Sequence, residues 1–164
     1  LIRLGHEHIL FLNAAGYISS AVEREAGYRK ALEKFGVDPG PDSVRHCNPT
    51  YESAYNLMSG IIVEEREFSA VFCFNDLMAM GVVKALHDAE MRVPEDVSVV
   101  GFDDIEFSAL LEPPLTTVHV PRRALGVEAA KILIDRIEGT HQPVETVMPT
   151  ELIVRSSTAR RKAT

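Results

Sequence analysis

Three polar residues that suit the recognition of hydroxyl groups lie beside apolar segments of the sequence. Asn75 follows the apolar run 70–74, Asp103 follows the run 97–102, and Arg24 lies in the second turn of a predicted helix. A carboxylate can accept hydrogen bonds from two neighbouring hydroxyls, an amide both donates and accepts, and a guanidinium donates to two oxygens in a fixed geometry. Arg24, Asn75 and Asp103 therefore predict a binding site for a sugar, a nucleoside or a related polyol.

Each residue of this set also has a purely structural interpretation. Asn75 and Asp76 precede a predicted helix, where either side chain can act as the cap, and we assign the cap to Asp76 and Asn75 to the ligand. Asp103 and Asp104 can equally form the turn that follows a strand. Arg24 can be an exposed helical residue. Residue types alone leave these alternatives open.

The sequence contains no arrangement that indicates catalysis. It has no G-x-G-x-x-G segment, no P-loop and no serine in a nucleophile elbow. Neither Cys47 nor Cys73 has an activating neighbour in the sequence, and His6 and His8 lack further ligands at the spacing of a metal site. The acidic segment 103–106 is a weak match to a Mg²⁺ or paired-carboxylate site. We therefore predict that the chain is not an enzyme and has no catalytic residue, no metal and no cofactor.

Composition favours a globular chain that does not itself hold nucleic acid. Of its 164 residues, 46% are hydrophobic and 25% are charged, and the formal net charge is -7. A nucleic-acid-binding surface needs a positive excess, so we interpret Arg155 and the basic segment 160–162 as a solvated tail. No apolar run approaches the ~20 residues of a membrane span. The two cysteines make no disulfide framework, which predicts reduced thiols and a cytoplasmic location.

The candidate site residues need a parallel sheet to bring them together. Buried apolar runs alternate with helical periodicity, which predicts an α/β fold with a parallel sheet flanked by helices on both faces. Ligands of such sheets bind outside the carboxyl ends of the strands, next to which Arg24, Asn75 and Asp103 are predicted to lie. The predicted strands are 9–12, 43–46, 70–74, 97–102, 115–120, 144–148 and 151–154.

Capping residues mark the predicted helices. Ser20 and Glu23 form a capping box at the start of the first helix, and Gly36 ends it. Thr50 caps the second helix. The other predicted helices run from Leu77 to Ala89 and from Pro121 to Gly139, and residues 1–4 form the last turn of a helix that we expect to begin upstream, with Gly5 as its C-cap.

Short motifs occur in a fixed order along nearly the whole chain. They are Leu1-Ile2-x-Leu4-Gly5-His6, Arg24-x-x-Gly27-Tyr28, Ala70-Val71-Phe72-x-x-Asn75-Asp76-x-Met78-Ala79-x-Gly81, Val97-Ser98-Val99-Val100-Gly101-Phe102-Asp103-Asp104, Pro113-Pro114-Leu115-Thr116-Thr117-Val118 and Glu151-Leu152-x-x-Arg155-x-Ser157-Thr158. Each motif alone is modest, but the ordered set resembles the effector-binding domain of lac-repressor-type (LacI/GalR family) transcriptional regulators.

This resemblance implies a type I periplasmic-binding-protein-like fold, in which two α/β lobes enclose a ligand cleft. Residues 1–12 would lead from the amino-terminal lobe into the sheet, 13–118 would form the carboxyl-terminal lobe, 119–148 would return to the amino-terminal lobe, and 149–164 would form the final strand and tail. Most of the first lobe would lie upstream. So would the helix-turn-helix through which such regulators bind operator DNA.

The resemblance also implies a function. Arg24, Asn75 and Asp103 fall on the positions that bind effector hydroxyls in the family, and effector binding in the cleft would alter operator affinity. Val120 stands where many relatives have a Gln, so a ligand contact at that position is in doubt. The alternative is an exported sugar-binding protein of a transport system, which shares the fold.

A homodimer is expected on two grounds. Family members work as dimers, and the predicted helix around Met80 is apolar nearly all round, which indicates burial on two sides. One side would face the sheet and the other a second subunit. We therefore place Met80 in the predicted dimer interface.

Overall fold

Strands and helices alternate in the order expected from the sequence. The computed structural model describes residues 1–38, 40–64, 67–139 and 145–162. Its strands are β1 (Ile9–Asn13), β2 (Val44–His46), β3 (Ala70–Cys73), β4 (Ser98–Val100), β5 (Thr117–His119) and β6 (Glu151–Ile153). Its α-helices are α1 (Ser19–Phe35), α2 (Tyr51–Val63), α3 (Asp76–Asp88) and α4 (Arg122–Ile137), and short 3-10 helices cover Ile2–Leu4 and Glu106–Ala109.

A four-stranded parallel sheet with the order β2-β1-β3-β4 carries the predicted site. Ala70 of β3 is in register with Ile9 on one side and Ser98 on the other. All five residues of β1 are buried, as expected for a strand covered on both faces. Because the strands are parallel, their carboxyl ends lie at one edge, and the predicted α/β architecture is confirmed.

Helices α2 and α3 pack closely against each other at Gly81. A Cβ atom at Gly81 would lie 2.2 Å from the backbone oxygen of Tyr51, so no larger residue fits without separating the two helices. Met58 of α2 and Met78 of α3 are fully buried in the core. Burial of a side chain of this size contributes about 1.5–3 kcal/mol, which holds the amino-terminal end of α3 against the sheet.

The capping predictions are confirmed in part. The Thr50 side chain accepts a hydrogen bond from the backbone of Ser53, and Gly36 ends α1 in the left-handed conformation. The capping box at Ser20 is wrong, because α1 already begins at Ser19 and a capping residue must be extended rather than helical. The residue before α1 is Ile18, which is extended and makes no side-chain cap.

The carboxyl-terminal elements stand apart from the main sheet. Strands β5 and β6 form an antiparallel pair. Isolated bridges join Thr116, just before β5, to Val100 of β4, and His119 of β5 to Asp103, which follows β4. Helix α4 has no buried residue. The strand predicted at 144–148 is wrong over 145–148, which adopt no strand, and Val144 lies outside the described residues. Among the described residues, no helix is long and apolar enough to cross a membrane.

Candidate ligand-binding site

The Arg24 side chain is held in one orientation at the carboxyl edge of the sheet. Its guanidinium carbon lies 3.7 Å from the ring centroid of Phe102 and 4.2 Å from that of Phe74. Nη1 donates a hydrogen bond to the backbone oxygen of Phe74, and Nη2 lies 3.6 Å from Oδ1 of Asp103. Burial lowers the pKa of Arg24 and Asp103 opposes that change, and a guanidinium remains protonated in proteins in any case. The site therefore presents a fixed positive charge.

Asp103 follows β4 and offers a carboxylate beside this charge. Its backbone has a φ of 109°, a conformation that non-glycine residues seldom adopt, and Asp104 follows with a φ of 53°. Burial raises the pKa of Asp103, Arg24 opposes the increase, and the charge of Asp76 adds to it. One third of the side chain is still exposed, at 33%, so its oxygens can accept hydrogen bonds from a ligand.

The side chain of Asp104 makes contacts different from those of Asp103. Its Oδ1 accepts a hydrogen bond from Nη2 of Arg155 at 2.7 Å, and its Oδ2 lies 2.9 Å from Nδ1 of His119. Burial raises the pKa of Asp104, but the hydrogen bonds from Arg155 and His119 together outweigh it, and the pKa lies below its ordinary value. The Asp103 carboxylate lies beside Arg24, whereas the Asp104 carboxylate is held by Arg155 and His119.

Asn75 caps α3, so the assignment of the cap to Asp76 is wrong. Oδ1 of Asn75 accepts a hydrogen bond from the backbone nitrogen of Met78 at 2.8 Å, and Nδ2 donates to the backbone oxygen of Pro49 at 3.4 Å. The extended backbone at Asn75 fits the capping position, whereas Asp76 is already helical. Asn75 is half-buried at the end of β3, directly after Phe74, whose carbonyl binds Arg24.

Asp76 is a fully buried carboxylate that joins three segments around the site. Oδ1 accepts from the Thr117 hydroxyl at 2.5 Å, and Oδ2 accepts from the Ser108 hydroxyl at 2.6 Å and the Ile105 backbone nitrogen at 2.9 Å. This role of Asp76 was not predicted from the sequence. The signal was present, because Asp76 continues the buried stripe of Ala79, Val82 and Leu86 towards the amino terminus of α3.

Arg155 is part of the site's support, so its interpretation as a solvated tail residue is wrong. Its side chain is only 20% exposed, and Nη1 donates to the backbone oxygen of Leu115 at 2.8 Å. The loop that carries Asp104 and the segment after β6 are thereby held together. This contact joins residues distant in sequence, and no local pattern in the sequence marks it.

Neither thiol is activated. Burial raises the pKa of Cys47 to about 11 and raises that of Cys73 well above its ordinary value, so both stay protonated near neutral pH. His6 is buried between the Ser69 hydroxyl and the backbone oxygen of Ala159, each at 3.0 Å. Across the described ranges, no cluster of three or more His, Cys, Asp or Glu side chains could hold a metal ion.

Comparison with known proteins identifies the family. Residues 1–158 match the family described as a periplasmic binding protein-like domain. The chain is 37% identical over 158 residues to the transcriptional repressor PurR of Vibrio atlanticus (strain LGP32), an alignment that covers 96% of this chain and 47% of PurR. The chain thus spans about half the length of the curated relatives it matches.

Two solved structures share this fold. One is a complex of the transcriptional regulator CelR with cellobiose, with a TM-score of 0.91 and 38% identity over 96% of this chain and 48% of that chain. The other is a dimeric lac repressor, with a TM-score of 0.93 and 30% identity over 98% of this chain and 59% of that chain. These relatives are named as regulators and repressors rather than enzymes, as predicted. The chain belongs to the periplasmic-binding-protein-like domain family, within the group of effector-binding domains of LacI-type transcriptional regulators.

Proposed function

We propose that this chain senses a sugar or related polyol for a transcriptional regulator, with Arg24, Asn75 and Asp103 as its effector-binding residues. The observation that carries the proposal is the Arg24 side chain, fixed between two aromatic rings and 3.6 Å from Asp103. A fixed donor beside a fixed acceptor matches the alternating donors and acceptors of neighbouring hydroxyls. The solved CelR complex contains cellobiose, which supports this ligand class.

The domain arrangement is part of the same proposal. Residues 13–118 form one wall of the effector cleft, 1–12 and 119–148 connect to the lobe that forms the other wall, and 149–164 form the final strand and tail. The exposed apolar residues Leu125, Leu133 and Ile137 of α4 support this view, because a helix with such residues needs a further packing partner. Effector binding would close the cleft and shift the population of a DNA-competent state.

Two partners and a cellular location follow from a regulator function. The protein is a homodimer through the face of α3 that bears Met80, operator DNA is bound by a helix-turn-helix outside this chain, and the regulator acts in the cytoplasm. Leu77 and Met80 support the dimer surface, because Leu77 is 45% exposed and Met80 is half-buried on a helix whose other apolar residues are buried or half-buried.

The test is a ligand screen on the full gene-encoded polypeptide. Cellobiose, monosaccharides, sugar phosphates and nucleosides are compared by thermal shift, in which a ligand at about 100 times its Kd adds roughly 2.7 kcal/mol of stability. The shift should disappear in Asp103→Ala and persist in Glu33→Gln. Glu33 is an exposed carboxylate near the carboxyl end of α1, whereas Arg24 lies near the amino end. The absence of a shift with every compound, or an equal shift in Asp103→Ala, would contradict the proposal.

A further inference from the structure

The backbone that presents Asp103 is in an unfavourable conformation. Asp103 and Asp104 both have positive φ values, 109° and 53°, and the first lies outside the left-handed region that Asp tolerates. Such a conformation persists only where the surrounding contacts hold it. One of these contacts is the hydrogen bond from the Asp103 backbone nitrogen to the backbone oxygen of Val118 at 2.9 Å.

The Arg122 side chain also binds this segment. Its Nη1 donates to the backbone oxygen of Asp103 at 2.6 Å, and its Nη2 donates to that of Asp104 at 3.1 Å. A planar guanidinium can satisfy two successive carbonyls in this way, whereas a lysine ammonium is a point charge without the fork. Arg122 is also the first residue of α4, which follows β5 directly.

We propose that Arg122 is a positioning residue for the effector site, which holds the Asp103 carboxylate in its binding orientation and links that orientation to the position of α4. The proposal rests on the proposed function for its ligand and on the backbone contacts for its mechanism. Two sets of contacts join the Asp103–Asp104 segment to the start of α4. His119 contacts the Asp104 side chain, and the Arg122 side chain contacts the backbone oxygens of Asp103 and Asp104. A movement of Asp103 on effector binding would therefore displace the start of α4.

Charge and hydrogen-bond geometry can be separated with two variants. Arg122→Gln removes both the positive charge and the paired N–H donors of the guanidinium, whereas Arg122→Lys keeps the charge and removes only the paired donors. The matched control is Arg123→Gln, because Arg123 is the next residue of α4, is exposed and carries the same charge. The positive charge of Arg122 also lowers the pKa of Asp103, although burial and Arg24 influence that pKa more strongly.

The first experiment needs no ligand. Hydrogen exchange of the Asp103 and Ile105 amides should become about tenfold faster in both Arg122 variants, since each loses charge-assisted hydrogen bonds to the segment. Exchange in Arg123→Gln should equal that of the wild-type chain. The Asp103 pKa, measured by carboxyl NMR, should rise in Arg122→Gln and stay near the wild-type value in Arg122→Lys. Unchanged exchange in Arg122→Gln would overturn the proposal.

The second experiment uses calorimetry to measure the Kd for cellobiose or for the strongest ligand of the screen. Both Arg122 variants should bind about tenfold more weakly than the wild-type protein, and Arg123→Gln should bind equally well. Full affinity in Arg122→Lys would show that charge alone matters and would overturn the positioning role. If the wild-type protein binds none of the compounds, the proposed function fails, while the exchange experiment still decides the role of Arg122.

Discussion

Nη2 of Arg24 lies 3.6 Å from Oδ1 of Asp103, although Arg24 belongs to the helix after β1 and Asp103 follows β4. Strand β3 lies between these two strands in the sheet, and Phe74, the residue that follows β3, supplies the ring and carbonyl that hold Arg24. The pair therefore spans the carboxyl ends of three strands. A ligand that bridges the two side chains would contact both a fixed donor and a fixed acceptor.

Arg24→Lys should weaken effector binding even though it keeps the positive charge. A lysine loses the stacking between Phe74 and Phe102 and the two-pronged donor geometry, so we expect a loss of about 1–3 kcal/mol, or roughly 5- to 150-fold in Kd. Calorimetry with the ligand identified by the screen measures this change in Kd. Arg29→Lys on the same helix is the control, because Arg29 forms only an exposed pair with Glu25. Equal affinities of the two variants would remove Arg24 from the site.

Effector affinity should decrease as the pH falls through the pKa of Asp103. Burial is the main cause that raises this pKa above the value of an unfolded chain, about 3.9. A protonated carboxyl accepts fewer hydrogen bonds, so Kd should rise at a higher pH than for an exposed aspartate. Calorimetry between pH 7 and pH 4 provides the measurement, and Asp103→Asn should remove this pH dependence. A Kd that is independent of pH over this range would contradict the assignment.

The same pKa has the opposite consequence for stability. A group whose pKa is higher in the folded protein stabilises the fold below its unfolded pKa, and this contribution is lost as the pH rises through the folded pKa. Asp103 therefore favours folding at low pH and binding at neutral pH. The unfolding free energy of the wild-type chain, relative to that of Asp103→Asn, should therefore fall as the pH rises through the folded pKa of Asp103.

The parallel sheet was predictable because continuous apolar runs such as 70–74 are typical of strands buried on both faces. Because the carboxyl ends of parallel strands lie at one edge of the sheet, Arg24 and Asp103 were then expected at the same edge. Helical periodicity indicated that Asp76 is buried, but its partners could not be predicted. Like the partners of Arg122 and Arg155, they lie in segments distant in sequence. Asn75 rather than Asp76 caps α3, because the helix starts at Asp76, one residue earlier than predicted.

Asp76 and Thr117 should be energetically coupled. Thr117→Val leaves the shape nearly unchanged but removes the hydroxyl that donates to Oδ1 of Asp76, and we expect a loss of about 1–3 kcal/mol in unfolding free energy. In Asp76→Asn the effect of Thr117→Val should be smaller, because the charged acceptor is gone. Urea denaturation of both single variants and the double variant gives the coupling energy. Strict additivity would show that this hydrogen bond contributes nothing to stability.

Gly81→Ala should destabilise the fold, while Gly60→Ala should not. The added Cβ at Gly81 would meet the Tyr51 backbone oxygen at 2.2 Å, and the expected cost of overpacking is about 1–3 kcal/mol. Gly60 lies in α2 with open space around it, so alanine there should gain up to about 1 kcal/mol from helix propensity. Chemical denaturation of both variants provides the comparison. Equal stabilities would contradict the close approach of α2 and α3.

Met80→Glu should convert a dimer into a monomer without unfolding the chain. Met80 is half-buried on α3 beside the exposed Leu77, and a carboxylate placed in an apolar interface would be desolvated without a partner. Sedimentation equilibrium of the full gene-encoded polypeptide measures the mass, and circular dichroism checks the fold. Val22→Glu on α1 is the control, because it introduces the same charge at a residue that is 54% exposed on a different helix. An unchanged dimer mass in Met80→Glu would place the interface elsewhere, and a monomeric wild-type protein would exclude it.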